Sequence, residues 1–342
     1  MRVLRLLVTC AAIVTQCGAQ TLDRSKVSVR VETTVHPLQN EDIASDCHYE
    51  LTIPEAHGQI RGVWVIFDRG RDVHDLYSDA DVVAFARRFK LALLLHGYCA
   101  GKFPGDHGDM NMKPSQGLGP ALLRALDQFA GMTGHTELSN ANLIFLGFSG
   151  AGPLSARLIA MYPRRVIAGI LSSPGHFRPD GIDTVKLTRE AQQVPELIIA
   201  GGADDVSGTQ LPYEYFKKYR QLGSPWTFTV QNLSPHCCTA NAKSLIMTWL
   251  QAVISRRSPV IAQGSLRRVQ EKDNWLGWIT SERTNIRDSF GLETFNVKTA
   301  GIELARSATT HDVTASWLPT ASFAQEWLSF TRQDRHPILP LR

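Results

Sequence analysis

Ser149 stands in the run Leu146-Gly147-Phe148-Ser149-Gly150-Ala151-Gly152. A serine hydroxyl is a weak nucleophile until a neighbouring base takes its proton. The small residues on both sides let the chain turn sharply and project the hydroxyl. A helix beginning there would supply unpaired N–H groups and the positive end of a dipole, both favourable to a developing oxyanion. Two histidines are candidates for the base. His236 follows Gln231-Asn232-Leu233-Ser234-Pro235, and His176 is its competitor. A carboxylate could hold the imidazole tautomer and stabilise the imidazolium. The run Ala200-Gly201-Gly202-Ala203-Asp204-Asp205-Val206 offers Asp204 and Asp205, at least one of which reads as a solvated turn residue. Together these groups would suit nucleophilic attack on an acyl carbonyl. Alone, the serine run is also compatible with a plain glycine-serine turn.

The surrounding pattern says what must position them. Residues 26–33 and 48–53 alternate apolar and polar, as half-buried strands do. Residues 62–67, 91–95, 142–146, 166–171, 196–200 and 226–230 are short apolar runs, fit for buried strands. Between them, 80–89, 120–129, 150–161 and 212–222 have helical spacing, and 241–254 closes the series. Strands alternating with helices predict βαβ units and a mainly parallel sheet. Ser149 then falls between a strand and a helix, and His236 between the last strand of the series and its last helix. Beyond 254 the pattern changes. Residues 255–274 are charged and aperiodic, as in a linker. Short strands are expected at 276–280, 294–297 and 301–304, and a closing helix at 321–330.

Strand, serine turn and helix in this order resemble the nucleophile elbow of the α/β-hydrolase superfamily. That pattern is Gly-x-Ser-x-Gly, and this chain departs from it with Ala151 at the last position and Gly152 one residue later. The resemblance implies an α/β-hydrolase fold: a mainly parallel twisted sheet, helices on both faces and, here, a C-terminal extension. It implies His236 as general base and a chain order of Ser, Asp, His. The family's acid often lies three residues after a strand-end glycine. Gly201 then points to Asp204, the preferred reading, and Gly202 to Asp205. The oxyanion hole would use the backbone N–H of Gly150 and one from the turn Asp68-Arg69-Gly70-Arg71-Asp72. Arg69 is preferred there, with Gly70 behind it, although many relatives have His-Gly. The family's antiparallel second strand neighbours the fourth, which implies a Cys47–Cys99 disulfide. Cys237 and Cys238 are left free or joined as an adjacent pair. The tannase-like cysteine beside the serine is absent, because Phe148 stands there.

The resemblance covers about residues 26–255. It is nearest to secreted serine esterases of the polyhydroxybutyrate depolymerase-like or feruloyl-esterase-like kind. It implies an acyl-enzyme mechanism on a small-molecule or polymeric carboxylic ester, with no cofactor. A peptidase or amidase on the same residues and a non-catalytic hydrolase-like binding protein are the alternatives.

Composition supports a globular protein: 342 residues, 43% hydrophobic and 20% charged. Of the formal charge of +4, half sits on Arg2 and Arg5, which leaves too little for a nucleic-acid surface. Residues 1–19 read as a signal peptide: a basic start, an apolar stretch over 6–14 and Cys17-Gly18-Ala19 before the cut. The expected organisation is therefore signal peptide 1–19, catalytic domain 26–255 and C-terminal extension 256–342. The expected location is secreted or periplasmic. Cys10 and Cys17 would leave with the leader, and an oxidising compartment suits pairing of the other four. No apolar segment is long enough to be a transmembrane helix. Residues 97–119 are rich in glycine and polar groups and are expected to line the substrate cleft. Asp106, His107 and Asp109 read there as loop residues rather than metal ligands. Oligomeric state is left open.

Overall fold

The computed structural model describes residues 28–54, 58–97, 99–102, 114–175, 185–258, 266–269, 274–307 and 314–334. The expected leader 1–19, His176, and Asp106, His107 and Asp109 lie outside the described residues.

Among the described residues, eight strands form one sheet: β1 (Val29–Val35), β2 (Cys47–Ile53), β3 (Gly62–Phe67), β4 (Leu91–His96), β5 (Asn142–Phe148), β6 (Val166–Ser172), β7 (Glu196–Gly201) and β8 (Thr227–Gln231). Their spatial order is β1-β2-β4-β3-β5-β6-β7-β8. β1 pairs antiparallel with β2, and β2 antiparallel with β4; the remaining pairs are parallel. This order, with helices on the faces, is the α/β-hydrolase fold. The parallel strands are buried along their whole length, apart from half-buried Asn142 at the start of β5. That explains why they read as continuous apolar runs, whereas β2 alternates buried with part-exposed residues.

Among the described residues, seven helices accompany the strands: α1 (Arg71–Ser78), α2 (Ala80–Phe89), α3 (Leu118–Thr133), α4 (Ala151–Met161), α5 (Gln210–Arg220), α6 (Lys243–Arg257) and α7 (Ala321–Thr331). Local chemistry sets their ends. The Asp79 carboxylate accepts the Asp81 and Val82 N–H groups and starts α2; Lys90 in the left-handed region ends it. The helix α1 has no counterpart in the expected series. Its sequence Arg-Asp-Val-His-Asp-Leu-Tyr-Ser buries only Val73, Leu76 and Tyr77, too few for a visible apolar stripe.

Beyond α6 the structure differs most from expectation. Two long strands, β9 (Trp275–Arg287) and β10 (Glu293–Leu304), form an antiparallel hairpin, and β11 (Ser316–Leu318) adds to β9. Charged and exposed residues along β9 hide its length from an apolar-pattern reading. Residues 266–269 are held rather than loose in the expected linker: Arg267 N–H donates to Arg257 O at 2.9 Å. β11 lies on the outer edge of β8, where Trp317 N–H donates to Trp226 O at 2.7 Å and Phe228 N–H to Ser316 Oγ at 3.0 Å. The helix α7 packs on α6 and buries Phe323, Trp327 and Phe330. The Trp327 indole N–H reaches Phe228 O at 2.9 Å. With α7 on one side and the sheet on the other, α6 carries a broad apolar face, which its sequence shows as Leu245, Ile246, Trp249, Leu250 and Val253, and leaves Ser244, Gln251 and Ser255 to solvent.

Among the described residues, no helix is long and apolar enough to cross a membrane. Cys47 is bonded to Cys99, joining the start of β2 to the chain after β4. Cys237 and Cys238 are bonded to each other.

Candidate active site

In a parallel α/β sheet, the carboxyl ends of the strands form the rim where ligands bind. β5, β7 and β8 deliver Ser149, Asp204 and His236 to that rim. Ser149 has φ +54°, in the left-handed region that non-glycine residues rarely adopt. The surroundings impose this conformation. Ser149 N–H donates to Ser172 O at 3.0 Å, while Ser149 O accepts from Gly152 N–H at 3.0 Å and Gly175 N–H at 3.2 Å.

The glycine pattern has a steric reason. A Cβ on Gly147 would lie 2.0 Å from Ala151 O, and one on Gly152 2.5 Å from the Cβ of Pro174. The two glycines that this turn needs are therefore 147 and 152. Position 151 has room for a methyl group, and Ala151 is buried there. The departure from Gly-x-Ser-x-Gly thus coincides with the close approach of the segment after β6.

His236 Nε2 lies 2.9 Å from Ser149 Oγ, and His236 Nδ1 lies 2.8 Å from Asp204 Oδ2. Asp204 is fully buried, and its other oxygen accepts the N–H groups of Val206 at 2.9 Å and Ser207 at 2.8 Å. Asp205 is exposed. Between the two aspartates left open by the sequence, the geometry therefore brings Asp204 to His236. The Phe148 ring packs on the imidazole, with centroids 4.9 Å apart. This gives a physical role to the residue that replaces the tannase-like cysteine.

Gly150 stands at the N-terminus of α4, where the first N–H groups have no intrahelical acceptor. The turn bearing Arg69 follows β3 and adjoins the serine turn: a Cβ on Gly70, which has φ +85°, would lie 3.6 Å from the Phe148 ring. Asp72, in the first turn of α1, ties this region to the histidine loop by accepting Thr239 N–H at 2.6 Å. Sequence pattern alone does not reveal that tie, because its partners are far apart in the chain. Among the described residues, no group of three or more His, Cys, Asp or Glu side chains could hold a metal ion. A cavity of about 710 Å³, lined by Arg164, Arg189, Arg257 and Arg268 among others, lies at the opposite end of the sheet from Ser149.

No family model matches the sequence, and no curated protein matches it. Solved structures do align with the fold. The acylaminoacyl peptidase of Pyrococcus horikoshii is 10% identical over 70% of this chain and 43% of its own, with a TM-score of 0.48. The chain thus spans less than half of that peptidase. A fluorophosphonate-binding serine hydrolase of Staphylococcus aureus is 12% identical over 66% of this chain and 98% of its own, with a TM-score of 0.46. Esterase PE8 is 18% identical over 62% of this chain and 99% of its own, with a TM-score of 0.44.

Proposed function

We propose that this chain is a secreted serine hydrolase that cleaves carboxylic esters through an acyl-enzyme intermediate. The observation that carries the reading is the continuous hydrogen-bond path from Asp204 through His236 to Ser149, whose hydroxyl is presented on a strained turn. Strain at one buried serine, held by surrounding hydrogen bonds, suits a functional site.

In the proposed reaction Ser149 Oγ attacks the ester carbonyl carbon while His236 Nε2 takes the hydroxyl proton. Asp204 keeps the other proton of the imidazole on Nδ1 and faces the cation that forms. The tetrahedral oxyanion sits against the N–H groups of Gly150 and Arg69. Collapse expels the alcohol, which leaves with the proton from His236. Water then attacks the acyl-serine and gives a proton to His236; collapse breaks the acyl–Oγ bond, His236 returns that proton to Ser149 Oγ, and the acid is released. No cofactor enters this sequence. The substrate belongs to the ester class handled by polyhydroxybutyrate depolymerase-like or feruloyl-esterase-like enzymes. Its acyl and alcohol parts would be selected by the loops of the rim. The two disulfides suit an oxidising compartment, in keeping with export by the leader at 1–19.

A fluorophosphonate probe tests the reading. Wild-type protein and Ser155→Ala are expected to label, because Ser155 is buried and donates to Ala151 O at 2.8 Å. Ser149→Ala is expected not to label. Folded wild-type protein that fails to label would refute an activated serine and favour a binding protein. Peptide cleavage without turnover of p-nitrophenyl acetate would replace the esterase reading by an amidase one.

A further inference from the structure

The loops carrying Asp204 and His236 are both fastened to one four-residue stretch of the C-terminal hairpin, Thr294-Phe295-Asn296-Val297 on β10. Thr294 Oγ1 donates to Gly202 O at 3.0 Å, at the start of the acid loop. Phe295 N–H donates to Thr209 Oγ1 at 2.8 Å, at the end of that loop. Asn296 Oδ1 accepts Leu233 N–H at 2.8 Å in the base loop. Val297 N–H donates to Asn232 Oδ1 at 2.8 Å, and Asn232 Nδ2 donates back to Val297 O at 3.3 Å. Successive residues of one strand thus hold first both ends of the acid loop, then the base loop.

We infer that β10 is a clamp that sets the distance between Asp204 and His236, with Asn296 and Asn232 as positioning residues for the proposed reaction. The inference rests on the reading of Ser149, His236 and Asp204 as the reacting array. Three observations carry it. Leu233 has φ +55°, a conformation disfavoured for a leucine, and its N–H is the group that Asn296 accepts. Gly202 is packed so closely that a Cβ would lie 2.0 Å from Asn296 Oδ1, so Asn296 touches the acid loop as well as the base loop. Asn232 is buried, and its amide behaves as an extra strand segment, pairing with the N–H and the carbonyl of one β10 residue.

The loops also bond to each other: Gly202 N–H to Gln231 O and Ala203 N–H to Ser234 O, both at 2.9 Å. Those bonds join the loop bases. The clamp removes the remaining freedom, a hinge of one loop against the other. Such freedom matters because a misplacement of about 1 Å costs on the order of a hundredfold in rate.

The test compares Asn296→Ala, Asn296→Asp and Thr299→Ala in the full chain, by steady-state ester hydrolysis and by thermal melting. Asn296→Ala removes the acceptor for Leu233 N–H and is expected to lower kcat about tenfold or more, with KM within about twofold. Asn296→Asp keeps an oxygen there and is expected to restore kcat to within about threefold of wild type. Thr299 pairs with Thr280 on the exposed part of the hairpin, so Thr299→Ala is expected to leave kinetics unchanged. A wild-type kcat in Asn296→Ala, or no rescue by Asn296→Asp at matched melting temperature, would overturn the clamp. A wild type without turnover or labelling would instead defeat the serine-hydrolase reading. The clamp is then read from solvent exchange of the His236 Nδ1 proton by NMR, which Asn296→Ala should accelerate; unchanged exchange would overturn it.

Discussion

The substitution Asp204→Asn forces a carboxamide to choose between two sets of partners. Asp204 uses one oxygen for the N–H groups of Val206 and Ser207, at 2.9 and 2.8 Å, and the other for His236 Nδ1 at 2.8 Å. In one orientation the amide keeps its oxygen on the two backbone donors and turns its NH2 toward the histidine. His236 must then accept at Nδ1, so its proton moves to Nε2. That nitrogen would donate to Ser149 Oγ instead of accepting from it, and the base is lost. A carboxylate-to-amide change with this consequence costs about 10,000-fold, or about 5.4 kcal/mol of barrier. In the opposite orientation the NH2 faces two backbone N–H groups. That forfeits two bonds to a charged acceptor at roughly 1.5–3 kcal/mol each. Both orientations are expensive, but only the first preserves the buried hydrogen bonds, so the expected result is a folded protein with its rate lost. The assay is kcat/KM on p-nitrophenyl acetate near neutral pH, with calorimetric melting alongside. Asp205→Asn, at an exposed residue, is the comparison and is expected to change stability by less than about 0.5 kcal/mol. If Asp204→Asn stays within about tenfold of wild type at an unchanged Tm, or Asp205→Asn shows the large loss, the reasoning fails.

His96 and Trp327 give predictions of a different kind. Burial pushes the His96 imidazole down to about 4 from an ordinary 6.5, although nearby backbone groups and Asp68 act in the other direction. The folded state then binds fewer protons than the unfolded chain between those values. His96 therefore costs no stability above 6.5 and up to about 3 kcal/mol as pH falls from 6.5 to 4. The variant His96→Gln is expected to lose less stability over that interval in urea titrations; an unchanged pH slope would contradict the assignment. Trp327→Ala removes a fully buried indole and its bond to Phe228 O. It is expected to destabilise the fold by about 3–5 kcal/mol, and a change under about 1 kcal/mol would show that the extension contributes little to the core.

The contrast between legible and illegible parts of this chain is physical. β3, β4 and β5 are buried on both faces, so their composition announces them, and the serine turn between β5 and α4 follows directly. His236 and Asp204 are legible as candidates through the family resemblance, by their order along the chain and their places after strands; the spacing from Gly201 already prefers Asp204 to Asp205, and the structure buries Asp204 while leaving Asp205 exposed. The hairpin was not legible in the same way. β9 is exposed along much of its length, and its regularity comes from pairing with β10 rather than from an apolar pattern. Thr294 and Asn296 look like ordinary polar strand residues in sequence. Their partners, Gly202 and Leu233, are 92 and 63 positions away. The Asp72 tie to Thr239 spans 167 positions.

The placement of β11 has a consequence for how copies of this protein can meet. A sheet with a bare outer strand offers a row of backbone donors and acceptors to any extended chain that drifts by. At the β8 end that invitation is withdrawn: Ser316 and Trp317 already occupy backbone groups of Trp226 and Phe228. Strand-to-strand recruitment through the large sheet is thereby confined to its other margin. There β1 carries Arg30, linked to Glu50 on the adjoining strand, a charged pair that discourages an apolar intruder.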